Sequence, residues 1–447
     1  MYLFLSLLLL PYGRYRSIYY DLAAIEDFCR PFAWALFAFV ASWAVGAITL
    51  NIVGKIYSRR TLAMVEKVKA NTRTTPEEAQ LRAQYAKLID VAALYYYFTL
   101  PAVAGGIVLA AGSLIYFFLW IGFLPTKIML IAIVGTVIGL GKMLMSLFST
   151  HGERELGRPL KVQEAPELFR LAHEVAQTIG TRPINEIRIV PGSDCCVYED
   201  GDAKQKAKDK TRRVFVFGAA LVPGMRLNAL RAILAHEYGH FAHRDTAGAE
   251  VALKMQQRLQ KYLISLYLNG NSENSVPVLM LRGYASMFRR ISFGACRLQE
   301  ILADRVAVAC YGPAAFQEGL VHVIRRSLEF DETTHRRLHT ATMYHGEAEN
   351  LYGAHLHNTT VSSPELKEAL AEALSRPTTE HDSHPSPTER FRLAARIPFS
   401  RQLPPDGMVW DLFNDHGQLF GEMSHMAQNE MYRQVAAQRE LANAMSN

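Results

Sequence analysis

Residues 226–245 run RLNALRAILAHEYGHFAHRD, and this stretch decides what kind of domain the chain builds. After Pro223-Gly224 its apolar residues recur at helical spacing. Inside lies His236-Glu237-Tyr238-Gly239-His240. Histidines four apart share one face of a helix, so both imidazoles reach a single zinc ion. Glu237 is one position round from the first histidine, where a carboxylate meets a metal-activated water. Zinc lowers the pKa of such a water toward ~7 and polarises a carbonyl, and the glutamate takes the proton and passes it on.

A catalytic zinc needs a third protein ligand and one open position. One known arrangement places a further histidine six residues after the second, but that position is Thr246. The other takes a glutamate from a later helix, often followed four residues on by an aspartate. Residues 297–304, RLQEILAD, supply it in an apolar helical context running to Cys310. Glu300 is then the third ligand. Asp304, one turn along the same face, is placed to accept a hydrogen bond from a ligand histidine and fix its tautomer. Other histidines are weaker candidates. His335 and His339 are four apart, yet Arg336 and Arg337 between them disfavour a cation, and His243 fits a position beside the metal better than one on it.

These motifs resemble those of the membrane-anchored gluzincin metallopeptidases, the family of CAAX prenyl proteases and HtpX-like heat-shock proteases. HEYGH with Asp245 five residues after it, ExxAD at 300–304, HPSPTER at 384–390 and the lead-in RVFVFGAALVPG carry the resemblance, which covers roughly residues 155–395. It implies a zinc-dependent endopeptidase. It also implies that His384 hydrogen-bonds the oxyanion of the tetrahedral intermediate, that Arg390 supports that segment, and that an edge strand before the zinc helix pairs with extended substrate. Cys195, Cys196 and Val197 occupy that strand where the family usually has Asn-Ala. Heat-shock members place further membrane spans between the two zinc helices, whereas residues 246–294 here carry six Lys and Arg and no run long enough to cross.

The rest of the chain explains its averages. Of 447 residues, half are hydrophobic and a fifth charged, with net charge +6 and mean hydropathy near zero. Disordered, collagen-like and disulfide-scaffold classes are excluded. The apolar residues are segregated. Residues 31–54 carry no charge, nor do 91–126, and 128–148 are interrupted only by Lys142. About 20 apolar residues span a bilayer, so spans are predicted near 31–54, 98–123 and 127–148, the latter two forming a hairpin. Residues 1–30 are expected to form an interfacial segment. The 55–90 loop has eight basic and four acidic residues. That bias predicts a cytoplasmic loop, and a cytoplasmic catalytic domain after the hairpin returns. Within the loop, Thr75-Pro76-Glu77-Glu78 has the form of a helix start. The Lys-rich stretch 202–213 is expected to be a solvated hairpin loop, with contact to anionic headgroups as the alternative.

The expected fold is therefore α+β and predominantly α: a membrane domain over 31–148, then a zinc metalloprotease domain over 149–447 ending in a helical cap. The expected function is a bacterial inner-membrane zinc endopeptidase acting on membrane-associated or misfolded proteins, with lipid bilayer and peptide as partners and no nucleic acid. Two rivals are a dedicated processing protease for one lipid-modified or membrane substrate, and a non-catalytic adaptor with a structural zinc site. The latter is disfavoured by the intact Glu237 and by the missing fourth ligand, because structural sites are closed.

Overall fold

Long helices dominate the computed structural model, which describes residues 15–67, 75–120, 126–147, 157–201, 205, 208, 210–242, 246–268, 270–344, 351–352, 363–379 and 382–446. Residues 1–14, His243, Asp245, most of 202–209 and the 121–125 connection, on which expectations were placed, lie outside the described residues, as do the side chains of His335 and His339. The chain divides into two compact units, one of residues 1–61, 80–152 and 247–295, the other of 62–79, 153–246 and 296–447.

The first unit has helices and no strand among its described residues. Helices α1 (Tyr15–Lys67), α2 (Pro76–Trp120) and α3 (Thr126–Leu147) cover the three apolar runs. Arg30–Thr61 and Pro76–Tyr116 are long and apolar enough to cross a membrane, and Thr126–Gly141 forms a shorter apolar helix. Their large apolar side chains point outward, as lipid-facing residues do: Phe32, Trp34, Val91, Leu94 and Ile131 are all exposed. Polar contacts knit α1 to α2. Trp43 Nε1 donates to Thr99 Oγ1 at 3.1 Å, and the Tyr95 hydroxyl donates to the Trp43 carbonyl. Helix α6 (Thr246–Leu268) and the start of α7 (Val276–Tyr344) complete this unit. There Gln256 bonds Ser292 at 2.8 Å, and the Tyr284 hydroxyl donates to the Ala92 carbonyl of α2 at 2.5 Å.

The second unit is a four-stranded sheet covered by helices. The three strand-like runs of the sequence become β2 (Glu186–Val190), β3 (Cys195–Asp200) and β4 (Arg212–Gly218), joined by a two-residue β1 (Arg158–Pro159). Strand order is β1-β2-β4-β3, with β2 and β4 parallel and β3 antiparallel to β4. Strand β3 is thus an edge. Helix α4 (Pro166–Ile179) is amphipathic: Leu168, Leu171, Ala172, Val175 and Ala176 bury one face, and Gly180 ends it in the left-handed region at φ 78°. Helix α5 (Leu227–Ala242) carries the two site histidines, and Tyr238 locks it in place. The Tyr238 hydroxyl accepts from Ile184 N–H and donates to the Ala172 carbonyl, each at 3.1 Å. Helix α7 breaks at Gly312 (φ 80°), just before Pro313. Helices α8 (Pro364–Ser375), α9 (Pro387–Ala394) and α10 (His416–Ser446) follow.

Candidate metal centre

The site is made where α5 crosses α7. The crossing is close because Gly239 has no side chain: a Cβ there would lie 2.9 Å from Ala303 Cα and 3.2 Å from its carbonyl oxygen. Both neighbours are backbone, so a methyl must push the helices apart. Gly239→Ala is expected to cost about 1–3 kcal/mol through overpacking. It should also weaken metal retention, because it separates the histidines on α5 from Glu300 on α7. Thermal unfolding together with metal content checks both; a variant with unchanged metal retention would refute the coupling.

Across this crossing His236, His240 and Glu300 offer three ligand atoms within 4.8 Å of one another. His236 Nε2 lies 3.3 Å from His240 Nε2 and 3.3 Å from Glu300 Oε2, and His240 Nε2 lies 3.5 Å from Glu300 Oε1. A tetrahedral zinc bound at about 2.0–2.1 Å from each of three atoms requires them to be about 3.3–3.4 Å apart. The histidine pair has this spacing, and Glu300 presents one carboxylate oxygen to each histidine at 3.3 and 3.5 Å. Glu300 Oε2 is buried and meets no donor in hydrogen-bonding geometry, as suits an oxygen that faces a cation.

The neighbours set the protonation the ligands need. His236 Nδ1 is 2.8 Å from Asp304 Oδ1, which holds a proton on Nδ1 and turns Nε2 toward the cluster. Burial lowers the pKa of His240 to about 4, leaving a neutral imidazole. Burial also opposes charge on His236, but Glu300 and Asp304 outweigh it and raise its pKa to about 10. The cluster thus draws positive charge to itself. Glu300 is held well below the usual carboxylate range: burial works against the anion, and His236 and His384 overcome it.

Arg390 was expected to support the segment of His384. Its guanidinium reaches across 86 residues to make a two-pronged contact with Asp304, Nε to Oδ2 at 2.8 Å and Nη2 to Oδ1 at 2.6 Å. Burial works against the Asp304 anion, and Arg390 outweighs it, so the pKa stays below the ordinary value. A chain Arg390–Asp304–His236 therefore orients the first imidazole. No local pattern signals this contact, since Arg390 opens no periodicity and its partner lies on another helix.

Glu237 is beside the cluster and faces β3. Val197 N–H donates to its Oε2 at 3.2 Å, and burial raises its pKa to about 7. Since that N–H points away from β4, the backbone groups of Cys195, Val197 and Glu199 alternate onto the open edge. Burial pushes the Cys196 thiol up to about 12, and Cys195 also well above its ordinary value, so both remain thiols. His384 stands on the other side of Glu300, its Nε2 3.3 Å from Oε1, with the side chain 60% exposed. The structure thus gathers His236, Glu237, His240, Glu300, Asp304, His384, Arg390 and Val197 in one place. Sequence reasoning missed Arg297, which is completely buried three residues before Glu300. A charged residue in the apolar periodicity of α7 was the signal that marked it.

Comparison with known proteins agrees with this geometry. Residues 206–397 match the model of peptidase family M48. No curated protein sequence matches the chain. The crystal structure of Ste24p from S. mikatae aligns over 80% of this chain and 98% of its own, at 13% identity and a TM-score of 0.28, a level of likeness that decides nothing about the fold. The matched segment holds both site histidines, Glu300, His384 and Arg390, and it follows two helices apolar enough to cross a bilayer. Residues 206–397 are thus similar to family M48 peptidases and bring together three side chains able to hold a metal ion, after two helices long and apolar enough to cross a membrane.

Proposed function

We propose that the chain is a zinc-dependent endopeptidase that hydrolyses peptide bonds of membrane-associated or misfolded proteins on the cytoplasmic side of a bacterial inner membrane. The observation that carries the reading is the cluster of His236, His240 and Glu300, whose ligand atoms lie within 4.8 Å of one another, with Glu237 beside it and hydrogen-bonded to an edge strand. Zinc held by these three residues supplies Lewis acidity and a water acidified toward pKa ~7.

The residues of the chain do the rest. Substrate pairs as an extended strand with the free edge of β3, on the side of Val197, which brings its scissile carbonyl between Glu237 and His384. Glu237 takes a proton from the attacking water and returns it to the leaving amine. His384 donates from Nε2 to the carbonyl oxygen as negative charge develops there. Asp304, braced by Arg390, keeps His236 in one tautomer. Orientation follows from the excess of basic residues over 55–90, which favours a cytoplasmic loop and a cytoplasmic catalytic domain.

The test uses full-length protein in detergent, measured for zinc by elemental analysis and for hydrolysis of an unfolded fluorescent protein. The expected result is one zinc per chain, activity abolished by a chelator and restored by stoichiometric zinc, and loss of both metal and activity in His236→Ala and Glu300→Gln. Stoichiometric zinc without hydrolysis of any unfolded or membrane-bound substrate would instead make the site structural.

A further inference from the structure

The segment bearing His384 is fastened from beneath by one arginine. Arg297 is 0% exposed and heads the largest fully buried side chains. Its Nη1 donates to the main-chain carbonyl of Thr379 at 3.3 Å and to that of Asp382. Side chains of the segment close it from the other side. Asp382 Oδ2 accepts from Thr379 N and Oγ1, both at 2.7 Å, and Oδ1 accepts from Arg376 at 2.5 Å. Thr378 Oγ1 accepts from Ser386 N–H at 2.7 Å and donates to Glu389 at 2.5 Å. Out of this frame His384 projects, its Nδ1 2.8 Å from Ser383 Oγ and its Nε2 3.3 Å from Glu300 Oε1.

Arg297 and Glu300 are three residues apart on α7, hence on one face. The same helix face thus holds a metal ligand and the carbonyls that precede His384. Burying a guanidinium is costly, and an apolar side chain of similar volume would serve plain packing as well. What an apolar side chain lacks is directed donors for those carbonyls.

We propose that Arg297 is the positioning residue for His384, setting the imidazole at a fixed height above Glu300. This rests on the peptidase reading above and adds to it a residue that touches neither metal nor substrate. The consequence is specific: losing Arg297 costs what losing His384 costs, and no more once His384 is gone.

The experiment measures kcat, KM and zinc content for His384→Ala, Arg297→Gln and the double variant of the full-length protein. Each single change is expected to lower kcat about 100-fold, as removal of one oxyanion donor does, with KM and zinc content unchanged and the double variant equal to His384→Ala. Losses that multiply in the double variant, wild-type kcat in Arg297→Gln, or loss of zinc with that change each overturn the proposal. If Arg297→Gln does not fold, Asp382→Asn loosens the same segment from its solvent side. Its smaller loss of kcat must vanish in the His384→Ala background, and a loss that persists there overturns the proposal. Wild-type kcat in His384→Ala also overturns it, since there is then nothing to position. The peptidase reading survives that result, because it stands or falls on Glu237.

Discussion

Replacing Glu237 by Gln is expected to lower kcat/KM for peptide hydrolysis by about 10³–10⁴-fold, the upper range for loss of a general acid–base group, while zinc content and unfolding temperature stay at wild-type values. The isostere keeps what the fold asks of this position. Val197 N–H still finds an oxygen at the position of Oε2, 3.2 Å away. No ligand atom is touched, because the cluster consists of His236, His240 and Glu300. Only the capacity to take up a proton is removed, so the loss reports proton transfer rather than structure. Glu237→Asp adds a second reading. The shorter side chain retracts the carboxylate from the cluster, and activity should fall part of the way. Elemental analysis, thermal unfolding and steady-state kinetics on the same preparations check the outcome. A Gln variant with full activity would remove the basis for calling this site catalytic, whatever metal it holds.

The parts of this centre that the sequence disclosed are those set by local periodicity. Histidines four apart and a glutamate followed four residues on by an aspartate are helix-face statements, and helices α5 and α7 present them so. The runs at 187–190, 195–198 and 214–217 became strands because alternating or continuous apolar residues bounded by Gly, Pro and Ser leave little else. What stayed hidden depends on which elements meet. Arg390 lies 86 residues from Asp304, and nothing in HPSPTER names its partner. The closeness of the α5–α7 crossing rests on Gly239 against Ala303, and neither residue is unusual in a helix by itself. Strand β1 has two residues, too few to show any period. The 55–90 loop contained a legible helix start. Thr75 N–H donates to Glu78 Oε2 at 2.8 Å and Glu78 N–H to Thr75 Oγ1 at 3.3 Å, the reciprocal capping box. No local pattern hints that the same glutamate has a second partner.

That partner is Arg305, the residue after Asp304, and Glu78→Ala is expected to destabilise the metal-bearing unit by about 3–5 kcal/mol, as loss of one member of a buried ion pair does. Arg305 Nη1 and Nη2 donate to the two carboxylate oxygens of Glu78 at 3.0 and 2.6 Å. The side chains are only 5% and 3% exposed, so this pair is outside the class of surface ion pairs worth about 0–1 kcal/mol. Removing Glu78 leaves a guanidinium buried without its counterion one residue from Asp304, and removes a helix cap as well. At about 2–4 °C per kcal/mol for a domain of this size, the unfolding temperature should drop by about 10 °C. Residues 76–79 belong to the same compact unit as the metal centre although they open the helix that continues as an apolar span. A fragment beginning after residue 148 therefore lacks Glu78 and should be unstable, and Arg305→Met should rescue it by removing the orphaned charge. In the full chain, Glu78→Leu with Arg305→Met should recover stability to within about 1 kcal/mol, the cost of the lost cap. Thermal unfolding of these four variants against wild type decides the matter: a drop in Glu78→Ala no larger than that of an exposed pair, or no recovery in the double variant, would show that this contact is incidental to how the zinc helix is held.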